Sequence, residues 1–278
     1  MNDRVVRIME FLVNNDKAEV NILAELLDVS RVTLRKDLDK LEKSGIIKRH
    51  HGYASLEGAD DTSKRIAFCY PIKRRIAKSA AQIVEDGETV MIESGSCCTL
   101  LAEELASMHK NITIITNSLF VANFIRNFRN IKIIMLGGYF QPESQVLVGS
   151  IVTKYARNFF IDKLFIGADG FIQDQGFTGR DYLRVETVMG LVRCVNKVYI
   201  LTEAAKFKRR GAYNLIQFNK LTGVITNDDI PIEAESSMLK NNVKVLKVPS
   251  VDEKQKLYQF PGLPPINKEK ERGTGNGY

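Results

Sequence analysis

Val5, Ile8, Met9 and Leu12 recur at three- and four-residue spacing near the start of the chain, which puts them on one face of a helix. Asn21 can cap a short second helix carrying Leu23, Leu26 and Leu27, which stops at Asp28-Val29. Ser30 is expected to cap a third helix, in which Leu34, Leu38 and Leu41 share a face while Arg35, Lys36 and Lys40 point away from it. Gly45 ends that helix. Residues 46–49 and 53–56 then read as two short strands around a His50-His51-Gly52 turn, which makes a wing.

After a polar run without apolar periodicity the pattern changes. Short β-rich apolar runs at 90–92, 112–116, 131–136, 163–166, 198–202, 224–226 and 243–248 alternate with helical patterns. Such alternation predicts a mostly parallel sheet covered on both faces. The expected fold class is two-domain: an α+β winged helix-turn-helix over residues 1–57, a linker at 58–64, and an α/β mostly parallel-sheet domain over 65–255. Residues 261–278 are Pro, Gly and charge with little to bury, and a disordered tail is expected there.

The 278 residues are 44% hydrophobic, enough to bury a core in each of two domains. A formal charge of +7 favours a polyanionic partner, but an excess of this size is equally common on proteins that touch no nucleic acid. Its placement says more. Between Arg31 and Arg49 seven basic residues face three acidic ones, on the helix and wing that would meet phosphates. A solvated basic face on an ordinary three-helix module would carry the same charge run.

With charges scattered through its apolar positions the N-terminus lacks the uninterrupted apolar core of a signal peptide, so none is expected, and no later segment approaches membrane-spanning length. Cys69, Cys97, Cys98 and Cys194 form no CxxC pair, and only His50, His51 and His109 are available to complete a metal site. A reduced cytoplasmic protein with no metal, no cofactor and no membrane partner is expected.

In the second half, the strand at 90–92 runs through Glu93-Ser94-Gly95-Ser96-Cys97-Cys98-Thr99 into a helix. Glycine permits a tight turn, and the N–H groups opening a helix form an anion site. A purely structural strand-to-helix turn would look much the same. Vicinal Cys97-Cys98 at a helix N-terminus also admits a redox sensor with a lowered thiol pKa, against the commoner case of buried structural cysteines.

The segment VSRVTLRKDLDKLEKSGIIKRHHGYA resembles the helix-turn-helix signature of the DeoR (deoxyribose-operon-repressor) family of bacterial transcription regulators. The matching positions are Val29-Ser30, Thr33 through Leu38, Leu41-Glu42, Gly45 and His51-Gly52. By that resemblance Arg35 and Lys36 take the place of the family's paired basic residues, and Ser30 and Thr33 its hydroxyl positions. The implied DNA-contacting set is Ser30, Arg31, Thr33, Arg35, Lys36, Lys40, Lys48, Arg49 and His51. Arg35 is the candidate for a base edge, because arginine engages guanine O6 and N7 bidentately, whereas Lys36 and Lys48 suit phosphate as point charges. Asp37, beside the apolar stripe, is expected to be structural and to pair with a neighbouring cation. Tyr53 departs from the family's second wing glycine.

The resemblance continues over residues 65–250 through Gly95-Ser96-Cys97, Thr116-Asn117-Ser118, Leu136-Gly137-Gly138, Gly149, Phe165 through Gly170, Gly176-Phe177-Thr178, Lys206-Phe207 and Ile225-Thr226-Asn227. It implies a sensor fold like that of sugar-phosphate isomerases, aminosugar-phosphate deaminases and CoA-transferases, with phosphorylated sugars or related metabolites as effectors. Ser94, Gly95, Ser96, Cys97, Cys98 and Thr99 would cradle phosphate, Asn117, Gly137 and Gly138 would border the sugar, Asp169 would accept from its hydroxyls, and Lys206 would add positive charge. The bland alternatives are glycines that only satisfy backbone geometry, an Asn117 that holds a turn and a solvent-exposed Lys206. Cys97 and Glu203 depart from the family's usual residues.

The expected function is a DNA-binding transcriptional regulator, a repressor of sugar or related carbon metabolism genes, acting as a homo-oligomer (dimer or tetramer) with operator DNA and a phosphorylated effector as partners. Two rivals remain: a sugar-phosphate isomerase or deaminase-like enzyme, and a DNA-binding protein whose second domain is ligand-dead and only oligomerises. The sequence marks no acid-base pair, and an enzyme leaves the N-terminal reader without a purpose.

Overall fold

The computed structural model describes residues 3–15, 17–43, 46–56, 62–108 and 110–250. The reader comprises α1 (Asp3–Asn15), β1 (Lys17–Glu19), α2 (Val20–Leu26), α3 (Arg31–Lys43), β2 (Ile47–His50) and β3 (Tyr53–Leu56). Ile8, Met9 and Leu12 of α1 are buried together with Leu23, Leu34, Leu38 and Leu41, so the predicted apolar stripes do meet in one core. Ser30 starts α3 as expected: its Oγ accepts from the Thr33 amide at 3.2 Å and shares a 2.9 Å hydrogen bond with the Thr33 hydroxyl. Asp37 is buried and accepts from Arg4 Nε at 2.8 Å, which ties α3 to α1.

Two local expectations change. Asn21 does not cap α2: the helix begins at Val20 after Glu19, whose side chain makes no capping bond, and the Val20 amide donates instead to the wing carbonyl of Gly52 at 3.0 Å. β1 adds a strand that the apolar pattern does not predict. Its three residues pair antiparallel with β3, giving the order β1-β3-β2, and a strand so short carries no readable period. Gly45, expected to end α3, His109 and the 261–278 tail lie outside the described residues.

The next described element is α4 (Thr62–Ala67), whose first residues fall within the segment expected to be a linker. Then follow α5 (Tyr70–Gln82), β4 (Thr89–Ile92), α6 (Ser96–Ser107), β5 (Ile112–Thr116), α7 (Leu119–Ile125), β6 (Ile131–Met135), β7 (Tyr139–Gln141), β8 (Val146–Val148) and α8 (Ser150–Ala156). The remainder is β9 (Lys163–Ile166), β10 (Gly170–Ile172), β11 (Gly176–Gly179), α9 (Tyr182–Val192), β12 (Val198–Leu201), a 3-10 turn (Ala204–Lys208), β13 (Tyr213–Ile216), β14 (Gly223–Asn227), α10 (Ile232–Lys240) and β15 (Lys244–Val248).

All seven apolar runs read from the sequence become strands of one sheet, ordered β15-β14-β12-β9-β4-β5-β6, and every neighbouring pair is parallel. Their side chains divide by the period of two: Val90 and Ile92 enter one apolar cluster with α5 and α6, while Met91 enters another with Leu164, Val188 and Met238. The order matters for function. From β4 the chain winds outward through β5 and β6, then returns to place β9 on the other side of β4 and winds the opposite way. The loops leaving β4 and β9 therefore diverge, and a crevice opens between them at the carboxyl ends of the strands.

A second small sheet, β10-β11-β13, and the β7-β8 hairpin stand beyond that edge. Neither follows from the apolar pattern. Their strands are three or four residues long, and β10 and β11 start or end on glycine at Gly170, Gly176 and Gly179. At Gly176 (φ +114) an added Cβ would lie 2.4 Å from the Ile216 carbonyl oxygen, so glycine is what lets β11 approach β13 there.

Candidate DNA interface and effector cleft

On α3 Leu34, Leu38 and Leu41 are buried, while Arg31, Arg35, Lys36 and Lys40 are all exposed. On the wing Lys48 and His51 are exposed, and Gly52 (φ +83) makes the turn. Arg49 is placed differently from the rest. Its amide donates to Glu42 Oε1 at 2.9 Å and its guanidinium pairs with Asp39, so it clamps the wing onto α3 and presents a partly neutralised charge. Ser30 and Thr33 sit at the start of α3 with their hydroxyls bonded to each other, while His50 stacks on Tyr53 at 4.6 Å. The exposed cations thus lie on α3 and on the wing that follows it.

The second site begins at the β4-β9 crevice. Gly95 (φ +119, ψ 158) turns the chain out of β4 and into α6, in a backbone region open essentially to glycine. The nearest atom that an added Cβ would meet there is Gly167 Cα at 4.0 Å, so the loops after β4 and β9 face each other. Ser94 is buried and its Oγ donates to Glu93 Oε1 at 2.7 Å and accepts from Arg184 Nη2 at 2.8 Å. Arg184 also lies 3.8 Å from Glu93 Oε1. Burial pushes the Glu93 carboxyl above its ordinary value; Arg184 and Ser94 oppose that shift, and Asp169 adds to it.

Arg184 is held in turn by Asp181, which caps α9 by accepting from the Arg184 amide at 2.8 Å and takes a further bond from Gln141 at 3.2 Å. Asp169 accepts from the Arg180 amide at 3.0 Å. Lys206, on the 3-10 turn, has its ammonium pKa lowered by burial, against the raising pull of Glu203 and Asp169. A narrow recess bounded by Glu93, Ser94, Gly95 and Gly167 shares walls with a wider cleft of about 670 Å³, whose lining includes Arg65, Ser96, Asp169, Arg180, Arg184 and Lys206. The loop that opens α6, several cations and several carboxylates converge there.

Of the residues singled out from the sequence, Ser94, Gly95, Ser96, Cys97, Asp169 and Lys206 line this space. The others stand elsewhere. Thr99 turns its hydroxyl back to the Gly95 carbonyl at 2.9 Å, and Cys98 is wholly buried in the core. Asn117 is buried and donates to the Leu147 carbonyl at 2.9 Å, which ties it to the hairpin. Gly138 leaves room for α8: an added Cβ would lie 2.6 Å from Val152 Cγ2. Gly137 is exposed outside the cleft lining. Burial pushes both vicinal thiols well up, the opposite of the shift a redox sensor there needs.

Sequence reasoning did not find Arg65, Arg180, Asp181 and Arg184. The last three follow directly on the Gly176-Phe177-Thr178 motif, and the Asp181 to Arg184 spacing of a helix cap was the available signal. Among the described residues there is no group of His, Cys, Asp or Glu able to hold a metal, and no helix long and apolar enough to cross a membrane.

With this geometry in hand, the comparisons with known proteins are specific. Residues 4–58 match the DeoR-like helix-turn-helix domain and residues 69–228 the DeoR C-terminal sensor domain. The transcriptional regulator GolR of Listeria innocua is 30% identical over 82% of this chain and 91% of its own length. The glycerol-3-phosphate regulon repressor of Escherichia coli is 26% identical over 86% of this chain and 95% of its own. Ribose 5-phosphate isomerase A of Methanocaldococcus jannaschii aligns with 50% of this chain and 54% of its own, at 17% identity and a TM-score of 0.37. A helix-turn-helix reader joined to a sensor domain, matched along nearly the whole length of these regulators, makes this chain a member of the DeoR family of DNA-binding transcriptional regulators.

Proposed function

We propose that the protein is a repressor that holds operator DNA through α3 and the wing, within residues 1–57, and releases it when a phosphorylated sugar or related polyol phosphate occupies the β4-β9 cleft of the sensor. The observation that carries this reading is the cleft itself. It lies at the carboxyl ends of the strands where the sheet order reverses, with Ser94 and the Gly95 turn on one side and Arg184 beside them. Guanidinium groups and a helix N-terminus suit phosphate, and Asp169, Asp181 and Glu203 suit the hydroxyls of a polyol. The regulon for which the Escherichia coli relative is named is that of one such compound.

The enzyme alternative is the weaker of the two. Glu93, the buried carboxyl nearest the loop, is engaged by both Ser94 and Arg184, an arrangement that holds a cation in place rather than leaving a base to take protons. A homo-oligomer follows from how such readers work, since affinity for a two-fold operator comes from two half-sites bound together. The test is calorimetry with a sugar-phosphate panel, followed by operator titration at constant ionic strength with and without the tightest compound. Saturable binding that lowers operator affinity supports the proposal. Binding without any effect on operator, or turnover of a sugar phosphate, would overturn it.

A further inference from the structure

Helix α4 follows the reader in the chain and touches both halves of the protein. It packs on α1 and on α6, with Ile66 inside one continuous apolar cluster that runs from Ile8 of α1 to Ile76 of α5. The same helix reaches the cleft. Arg65 lines both the narrow recess and the wider space, and Phe68, just past the helix end, lines the latter with its ring half-exposed.

The carboxyl end of α4 is secured by a buried ammonium. Lys73, on the first turn of α5, is 2% exposed; its Nζ donates to the Phe68 carbonyl at 2.7 Å and to the Arg65 carbonyl. It also lies 3.9 Å from Glu203 Oε1, an ion pair too long to be a hydrogen bond. Glu203 belongs to the cleft wall, next to Lys206. Leaving a buried charge incompletely paired is costly, so the position of the Glu203 carboxylate and the position of the α4 terminus are linked in energy through this lysine.

We propose that α4 is at once a wall of the effector site and the element that reports its occupancy: Arg65 grips the effector's anionic group, and the Glu203-Lys73 pair ties the cleft to the α4 terminus and so to α1. This inference rests on the effector reading of the cleft given above. An anion arriving beside Arg65 and Lys206 competes with Glu203 for its cationic neighbours. The α4 arrangement in which Arg65 faces the anion then binds the effector more tightly, and a ligand shifts an equilibrium only by such a difference in affinity. Because α1 packs on α4, the reader feels that choice without any long pathway.

The experiment uses the full chain with glycerol 3-phosphate, ribose 5-phosphate, glucose 6-phosphate and inorganic phosphate as probes. Calorimetry measures probe affinity, and fluorescence anisotropy measures operator affinity with and without the tightest probe. For the wild type the probe should change operator affinity by the roughly 5- to 150-fold usual for coupled sites. Arg65→Gln should weaken probe binding about ten-fold or more, the loss of a charge-assisted bond. Lys73→Met should still bind the probe while the coupling falls to about two-fold or less, below the usual range. Backbone amides of residues 62–70 should exchange more slowly in the wild type when the probe is bound, which keeps the idea testable if Lys73→Met does not fold. Wild-type coupling in all folded variants, or no change in exchange across α4, overturns the link alone. A wild type that binds none of the probes overturns the reading of the cleft, and this inference falls with it.

Discussion

Arg184 Nη2 stands 2.8 Å from Ser94 Oγ although the two residues are 90 positions apart in the chain. One comes from the N-terminal turn of α9 and the other from the end of β4, so the contact joins the loop expected to cradle phosphate to a cation that the loop's own sequence does not contain. With Glu93 beneath them, the pair defines the floor of the cleft and sets what its variants should do.

Arg184→Met is expected to leave Glu93 buried without its counter-ion and to weaken sugar-phosphate binding by about ten-fold or more, as loss of a charge-assisted hydrogen bond implies. Calorimetry with the tightest compound of the panel measures this. An unchanged Kd would place the anion elsewhere in the cleft.

Glu93 also predicts a pH dependence. Burial raises its folded-state pKa above the unfolded value, so between those two values the native state holds more protons than the unfolded chain. Stability therefore falls as pH rises through that window, the reverse of a salt-bridged carboxylate with a depressed pKa. Glu93→Gln, which cannot ionise, should gain on the wild type as pH is raised from about 4 toward neutrality. Urea midpoints of both proteins across this range give the answer, and a pH-independent difference would show that the carboxyl is not destabilised by its burial.

At Gly95 the cost of a side chain is strain rather than collision, because an added Cβ has nothing closer than Gly167 Cα at 4.0 Å. Gly95→Ala should lower stability by about 1 to 3 kcal/mol, the usual size for a residue held in a glycine-only region. It should weaken effector binding as well, because α6 would start from a displaced turn. Denaturant unfolding and calorimetry on the same preparation separate the two effects.

The reader predicts a contrast between two cations. Arg35→Ala should lose about 1 to 3 kcal/mol of discrimination between operator and random DNA, as for one bidentate guanine contact, while Lys48→Ala should weaken both nearly equally. Titrations of each variant against both DNAs at one salt concentration decide it. Operator binding by Arg35→Ala equal to wild type would mean that α3 presents another face to the groove.

For the cysteines, Cys97 and Cys98 should resist alkylation in the native protein at mildly alkaline pH, because burial keeps their thiols protonated and out of reach. Mass spectrometry after a short iodoacetamide pulse, with and without denaturant, measures the protection. Rapid native labelling of either would restore the redox reading.

Elements whose period is long enough can be read directly from the order of residues. Leu34, Leu38 and Leu41 mark the buried face of α3 because a helix repeats every 3.6 residues, and the seven strands of the parallel sheet stand out because strands covered on both faces are apolar throughout. Ser30 and Asp37 were legible for the same local reason, a cap and a polar residue beside an apolar stripe. What tertiary structure alone decided is which elements become neighbours. The reversal of strand order at β4 and β9, the short strands of the β10-β11-β13 sheet and the arrival of Arg65, Arg180 and Arg184 at the Gly95 loop all arise from packing between distant segments. Asn117 and Cys98 show the same division from the other side: each belongs to a motif that points to the site, and each is turned into the core. A hydrophobic period records that a residue is buried but not what it is buried against, and the cleft is made of the second kind of information.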